Sequence, residues 1–108
     1  MIDDLYFIIG IDGGASNTRG ILINSEGKTL SRGFEKGTNL NIFGELAAER
    51  IFRLIMNLCK STKISFESLD AIGLGLAGAS DQIGREETFK KMDMKNLSKK
   101  ILITNDAE

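Results

Sequence analysis

Leu5-Tyr6-Phe7-Ile8-Ile9-Gly10-Ile11-Asp12-Gly13-Gly14-Ala15-Ser16-Asn17-Thr18 is the stretch whose reading decides the fold. Its first half is an unbroken apolar run, the pattern of a β-strand buried on both faces. The run stops at Asp12, and a loop of glycines and small polar residues follows. In such a loop backbone N–H groups approach an anion with no side chain in the way. Ser16 and Thr18 can add hydroxyl donors. Asp12, at the carboxyl end of the strand, suits a hydrated Mg²⁺ beside phosphates, because hard cations prefer oxygen ligands. A Walker A loop needs a Gly-Lys-Ser/Thr ending and opens a helix, and the dinucleotide-binding glycine motif also opens a helix. This loop does neither, since Arg19 to Asn24, with Ile21, Leu22 and Ile23, reads as a second strand. From spacing alone, an ordinary glycine hairpin explains the loop as well as a phosphate cradle does.

Outward from the loop, Ser25-Glu26-Gly27 predicts a tight turn with Gly27 in a left-handed conformation. Lys28 to Glu35 then returns as a third strand, less apolar and nearer an edge. After Lys36-Gly37-Thr38-Asn39-Leu40-Asn41, with Asn41 as the expected cap, a helix follows. Ala47, Ile51, Leu54, Ile55 and Leu58 recur there at spacings of three and four and form one apolar stripe. Glu45, Glu49, Arg50, Arg53 and Asn57 fall on its polar side. Ser61 to Ser68 is a polar connection pinned by Phe66. Ala71 to Ala77 predicts another doubly buried strand, with Gly73 and Gly75 admitting close packing. Gly78-Ala79-Ser80-Asp81 predicts a loop, and a second helix runs from about Ile83 or Gly84 to Met92. Ile101 to Thr104 predicts the last strand. The order is β-β-β-α-β-α-β, an α/β layer with helical crossovers between parallel strands.

The bulk properties narrow the function classes. The 108 residues suit one domain, 1–108, and a net charge of −1 gives no broad electrostatic footprint for nucleic acid or an anionic membrane. The apolar run from Leu5 to Ile11 is far too short to span a bilayer. An acidic start, Met1-Ile2-Asp3-Asp4, is unlike a signal peptide. The single cysteine, Cys59, excludes an internal disulfide and a cysteine-rich metal site; beside the apolar stripe it reads as a small buried hydrophobe. A cytoplasmic setting is expected. Arg85-Glu86-Glu87 and Lys90-Lys91 read as a solvated helix face.

The Asp12–Thr18 stretch resembles the first phosphate motif of the actin-like ATPase superfamily, in which a β-hairpin cradles the β- and γ-phosphates. Within it, the chain is most similar to N-acetylglucosamine kinases and their BadF/BadG/BcrA/BcrD relatives. The element order is also that of the superfamily's ribonuclease H-like amino-terminal half. The resemblance implies ATP and Mg²⁺ as cofactors, with Gly13, Gly14, Ser16, Asn17 and Thr18 at the nucleotide and Asp12 at the metal. Asn39, in a Thr-Asn pair like that of N-acetylglucosamine kinases, is implied to bind the sugar; its amide suits a hydroxyl pair. The run Gly73-Leu74-Gly75-Leu76-Ala77-Gly78-Ala79 is similar to one in glucosamine kinase-like proteins, with no catalytic role assigned. Asp106, in a terminal Asn105-Asp106-Ala107, is implied to be the catalytic base, a role that phosphoryl transfer accommodates; a helix-capping aspartate is the plainer alternative. By spacing alone, Asn39 equally suits a turn.

The family's second phosphate loop, adenosine-binding segment and carboxyl-terminal domain have no counterpart in these residues. The chain is therefore expected to be an amino-terminal half, completed by its carboxyl-terminal half or by a homodimer partner, and inactive alone. Two other classes remain open. An ATPase activator of 2-hydroxyacyl-CoA dehydratase or benzoyl-CoA reductase shares the phosphate loop, but its iron–sulfur cysteines are not recognisable in this chain. A non-catalytic sugar-sensing fragment is the other.

Overall fold

The computed structural model describes residues 6–43, 45–76 and 101–105. An apolar run that stops at a small, glycine-rich loop and resumes at Ile21-Leu22-Ile23 sets its central hairpin. Strand β1 (Phe7–Gly13) pairs antiparallel with β2 (Asn17–Asn24), from Phe7 opposite Asn24 to Gly13 opposite Thr18. Gly27 has φ +82°, as the turn requires. The turn is organised by Asn24, whose Oδ1 accepts the N–H groups of Glu26 (2.9 Å) and Lys28 (3.0 Å). Strand β3 (Thr29–Lys36) then closes the antiparallel meander at the sheet edge.

Two helices follow, α1 (Leu40–Phe43) and α2 (Glu45–Thr62). A 3-10 turn at Phe66–Ser68 leads into β4 (Leu69–Leu76), and β5 (Ile101–Asn105) completes the described chain. The sheet order is β3-β2-β1-β4-β5, with β4 parallel to β1 and β5 parallel to β4. Because β2 opposes both of its neighbours, β1, β3, β4 and β5 all point one way. Their carboxyl ends, Gly13, Lys36, Leu76 and Asn105, therefore share one edge of the sheet.

Helix α2 covers one face through the expected stripe: Ala47, Ile51, Leu54, Ile55 and Leu58 are buried with Ile9, Ile11, Leu22, Ile72, Leu74 and Leu76. The fit is close where Gly20 and Gly33 oppose each other across β2 and β3, leaving a notch for Leu54. Phe66 packs against the core with its ring 5.4 Å from that of Phe52, pinning the connection as expected. The helix outruns its stripe to Thr62 and ends at Lys63 (φ 61°). There Ile64 N–H donates to Cys59 O and Lys63 N–H to Lys60 O, a Schellman ending in which lysine takes the place usually held by glycine.

Three expectations need correction. The first helix starts at Leu40, so its cap is Asn39, whose Oδ1 accepts the N–H of Ile42 (3.2 Å), and not Asn41. A Cβ on Gly73 meets no atom within 4 Å, so close packing does not explain that glycine; it borders an open groove. Strand β1 is fully buried only on the α2 face, at Ile9, Ile11 and Gly13, while Ile8 and Gly10 are half-buried. The expected Gly78–Asp81 loop and Ile83–Met92 helix lie outside the described residues.

Candidate functional site

Period-two alternation gives the hairpin two chemical faces. On the α2 face lie Gly13 and Thr18, both buried; on the other lie Asp12 and Arg19, both exposed. Asp12 sits directly opposite Arg19 across the hairpin and beside Gly75 of β4, so residues of opposite charge share one face of the sheet. With Gly10, Ile21 and Gly73 they line a groove of about 510 Å³ on the face away from the helix. The sequence reading did not single out Arg19. Counting back from a tight loop finds it: once Gly13 faces Thr18, Asp12 must face Arg19.

The loop between the strands is closed by Gly14 N–H donating to Asn17 O at 2.9 Å. Ala15, Ser16 and Asn17 at its tip are exposed, so the Ser16 hydroxyl and the Asn17 amide stand at the sheet's carboxyl edge. Thr18 does not join them. It is fully buried, and its hydroxyl donates to Lys36 O at 2.9 Å. A hydroxyl carries one proton, so the 2.8 Å contact between the Thr18 and Thr38 hydroxyls is donated by Thr38. The result is a directed chain from Thr38 through Thr18 to the Lys36 carbonyl. The expected Thr18 hydroxyl contribution to the phosphate loop does not fit this position, although its backbone belongs to the hairpin.

The Gly37-Thr38-Asn39 loop is locked against this hairpin. Thr38 N–H donates to Gly14 O at 2.9 Å. A Cβ on Gly37 would overlap the Ala15 carbonyl, and one on Gly13 would overlap Thr38 Oγ1, so both contacts require glycine. From α2, Arg50 donates through Nη1 to Gly37 O at 2.7 Å while its guanidinium lies 4.6 Å from the centre of the Phe43 ring. Arg50, on the polar side of the helix, is thus tied to the loop. Asn39 follows directly and caps α1, which fixes where its side chain begins.

The sheet brings the end of β5 to the same edge. Gly13 pairs with Leu76, and Leu76 with Asn105, which puts the end of β5 two strand spacings, ~10 Å, from the β1–β2 hairpin. Asp106 follows Asn105 and lies outside the described residues. Among the described residues no cluster of three or more His, Cys, Asp or Glu side chains is arranged to hold a metal. A Mg²⁺ here fits only as such ions are usually bound at phosphates, through one carboxylate, waters and the nucleotide itself; exposed Asp12 fits that requirement. No helix among the described residues is long and apolar enough to cross a membrane.

A mixed sheet of this order, with a glycine hairpin at the carboxyl edge, defines a ribonuclease H-like domain of the actin-like ATPases. The chain belongs to the BadF/BadG/BcrA/BcrD ATPase family, whose model matches residues 9–107. No curated protein matches the sequence. Among solved structures, it is similar to a candidate N-acetylglucosamine kinase from Chromobacterium violaceum (TM-score 0.72, 18% identity, 96% of this chain and 36% of that one). It is also similar to the activator of 2-hydroxyisocaproyl-CoA dehydratase from Clostridium difficile with bound ADPNP (0.55, 14%, 69% and 25%). A third is gluconate kinase from Lactobacillus acidophilus (0.52, 24%, 68% and 16%). At these identities the likeness concerns the fold, and the chain spans about a third or less of each of these proteins.

Proposed function

We propose that the protein carrying this chain transfers the γ-phosphoryl group of ATP to an amino sugar, N-acetylglucosamine or glucosamine, with this chain as its amino-terminal nucleotide- and sugar-binding domain. The observation that carries the reading is the shared sheet edge. The exposed hairpin tip, the Thr38–Asn39 loop and the end of β5 converge there from three separate strands. Phosphoryl transfer asks for positioning and electrostatics more than covalent help, and such convergence supplies positioning.

In this reading Gly13 and Gly14 keep side chains out of the way of the phosphates, and Ser16 and Asn17 at the exposed tip supply the donors. Asp12 holds the hydrated Mg²⁺, which, when bound, offsets charge on the phosphate oxygens. Asn39 bonds a sugar hydroxyl. Asp106 takes the proton of the hydroxyl that attacks the γ-phosphorus as the bond to the bridging oxygen breaks and ADP departs. The remaining part of the nucleotide cleft belongs to a carboxyl-terminal half or to a second copy, so residues 1–108 alone turn over no sugar. A cytoplasmic site of action suits ATP as substrate.

The test is ADP release by the full-length protein with ATP, Mg²⁺ and a panel of sugars. Release should depend on an amino sugar. Asp106→Asn should lower kcat by the ~10²–10⁴-fold typical of losing a general base, and Asp12→Asn should shift the Mg²⁺ dependence. The second reading, an ATPase activator, draws support from the family and from the likeness to the dehydratase activator. It predicts ATP hydrolysis indifferent to sugar. Cys59, the one cysteine of the 108 residues, is buried and does not suit an exposed cluster ligand.

A further inference from the structure

Between the phosphate hairpin and Asn39 there is no gap. The two loops share a buried seam joined by a short chain of hydrogen bonds. Thr38 gives its N–H to Gly14 O (2.9 Å) and its hydroxyl to Thr18 (2.8 Å), and Thr18 passes its own proton to Lys36 O (2.9 Å). Both threonines are fully buried, so a bond lost while the seam stays closed leaves a polar group away from water. The packing beneath is as tight, because Gly13 leaves no room for a Cβ under Thr38 Oγ1 and Gly37 leaves none against the Ala15 carbonyl. Arg50 fixes the far side of the loop through Gly37 O (2.7 Å). Asn39 is the residue after Thr38, so a shift of the hairpin tip around Gly14 reaches Asn39 through one residue.

We propose that Thr38 is a positioning residue that couples the two ligand loops, so that nucleotide at the hairpin and sugar at Asn39 each tighten the other's binding. This rests on the kinase reading above. The coupling is thermodynamic and therefore reciprocal, with the same factor for sugar acting on nucleotide as for nucleotide acting on sugar. The direction of the proton chain adds an asymmetry. Replacing Thr38 by valine leaves Thr18 still donating to Lys36 O, whereas replacing Thr18 by valine strands both the Thr38 hydroxyl and the Lys36 carbonyl. Thr38→Val is therefore the cleaner probe.

The experiment uses the full-length protein and calorimetric titration of ADP·Mg²⁺ with and without saturating N-acetylglucosamine. The unaltered protein should bind ADP·Mg²⁺ more tightly with the sugar present, within the ~5–150-fold range common for coupled sites. In Thr38→Val the ratio should collapse toward one, while Kd for each ligand alone changes several-fold less. Thr38→Ser, which keeps the hydroxyl, should restore the ratio. A ratio unchanged in Thr38→Val, or lost equally in Thr38→Ser, overturns the proposal, and so does a ratio of one in the unaltered protein that binds both ligands. Hydrogen exchange on the unaltered protein gives a second arm that needs no variant. ADP·Mg²⁺ alone should slow exchange of the Thr38 amide at least ~10-fold, and an unaltered rate overturns the coupling even if Thr38→Val fails to fold. If neither N-acetylglucosamine nor glucosamine binds, the sugar reading fails; slowed exchange at Thr38 then still supports the mechanical link, and unslowed exchange sinks it as well.

Discussion

Replacing Gly13 by alanine tests the seam between the core and the site in a single atom. The added Cβ would overlap Thr38 Oγ1 and lie 3.0 Å from Leu76 Cδ2 and 3.3 Å from Thr18 Oγ1. No rotation of the alanine avoids this, because a Cβ is fixed by the backbone. Thr38 must therefore move, and as a fully buried residue it has nowhere to swing without breaking its 2.8 Å bond to Thr18. Overpacking a tight core typically costs ~1–3 kcal/mol and an unpaired buried polar group a further ~1–3, so the expected loss is about 2–6 kcal/mol. Urea unfolding followed by circular dichroism reads it directly: at a slope of about 2 kcal/mol per molar the midpoint should fall by ~1 M or more. Gly14→Ala is the control, since its Cβ meets only Asn17 O at an ordinary 3.8 Å and should cost well under half as much. Adding Thr38→Ala to Gly13→Ala removes the offending Oγ1, and the pair should be less destabilised than the two single changes summed, by the ~0.5–3 kcal/mol seen for residues in contact. Equal midpoints for Gly13→Ala and Gly14→Ala, or strict additivity with Thr38→Ala, would refute the reasoning.

Leu54→Ala should cost ~2–5 kcal/mol in the same unfolding assay, because the side chain fills the notch over Gly20 and Gly33 and the paired strands hold that notch open. Burial raises the Cys59 thiol pKa, so the folded state keeps a proton that the unfolded chain releases. The sign follows: this contribution is fully present below the ordinary thiol pKa of about 8.5 and is lost as pH rises past it, so unfolding midpoints should decline from about pH 8 upward, and Cys59→Ala should remove that part of the decline.

Much of this architecture is legible in the sequence because it follows from periodicity. The unbroken run into Asp12 and the three-and-four spacing from Ala47 to Leu58 leave few alternatives for strand and helix, and the helix stripe is the buried one. What is not legible depends on which of two similar residues wins or on contacts across distance. Asn39 and Asn41 have the same capping chemistry, and only the start of α1 at Leu40 gives the cap to Asn39. Lys63 in a left-handed conformation carries no signature, since glycine is the usual residue there. The Thr18–Thr38 bond joins residues 20 apart, one on β2 and one in the loop after β3, and no local pattern announces it. Thr18 reads as a phosphate donor in the sequence because a hydroxyl near a glycine loop invites that role; strand alternation sends it to the other face.

That alternation carries a wider consequence. Core and site occupy opposite faces of the same hairpin, so one register sets both. With Gly13 opposite Thr18, Ile9 and Ile11 point at α2 and Asp12 and Arg19 point at the groove. A slip of one residue would send the carboxylate into the helix interface and the isoleucines into the groove, exchanging every side chain between faces. Burying Asp12 unpaired against the apolar stripe of α2 would carry the large cost of a charge taken out of water. The hydrophobic fit of α2 against Ile9, Ile11 and Leu22 therefore selects the register in which the charged pair faces the groove. Gly13 and Thr18, the last residues of that register, are also the ones that touch Thr38. Through them the core sets the position of the loop that carries Asn39.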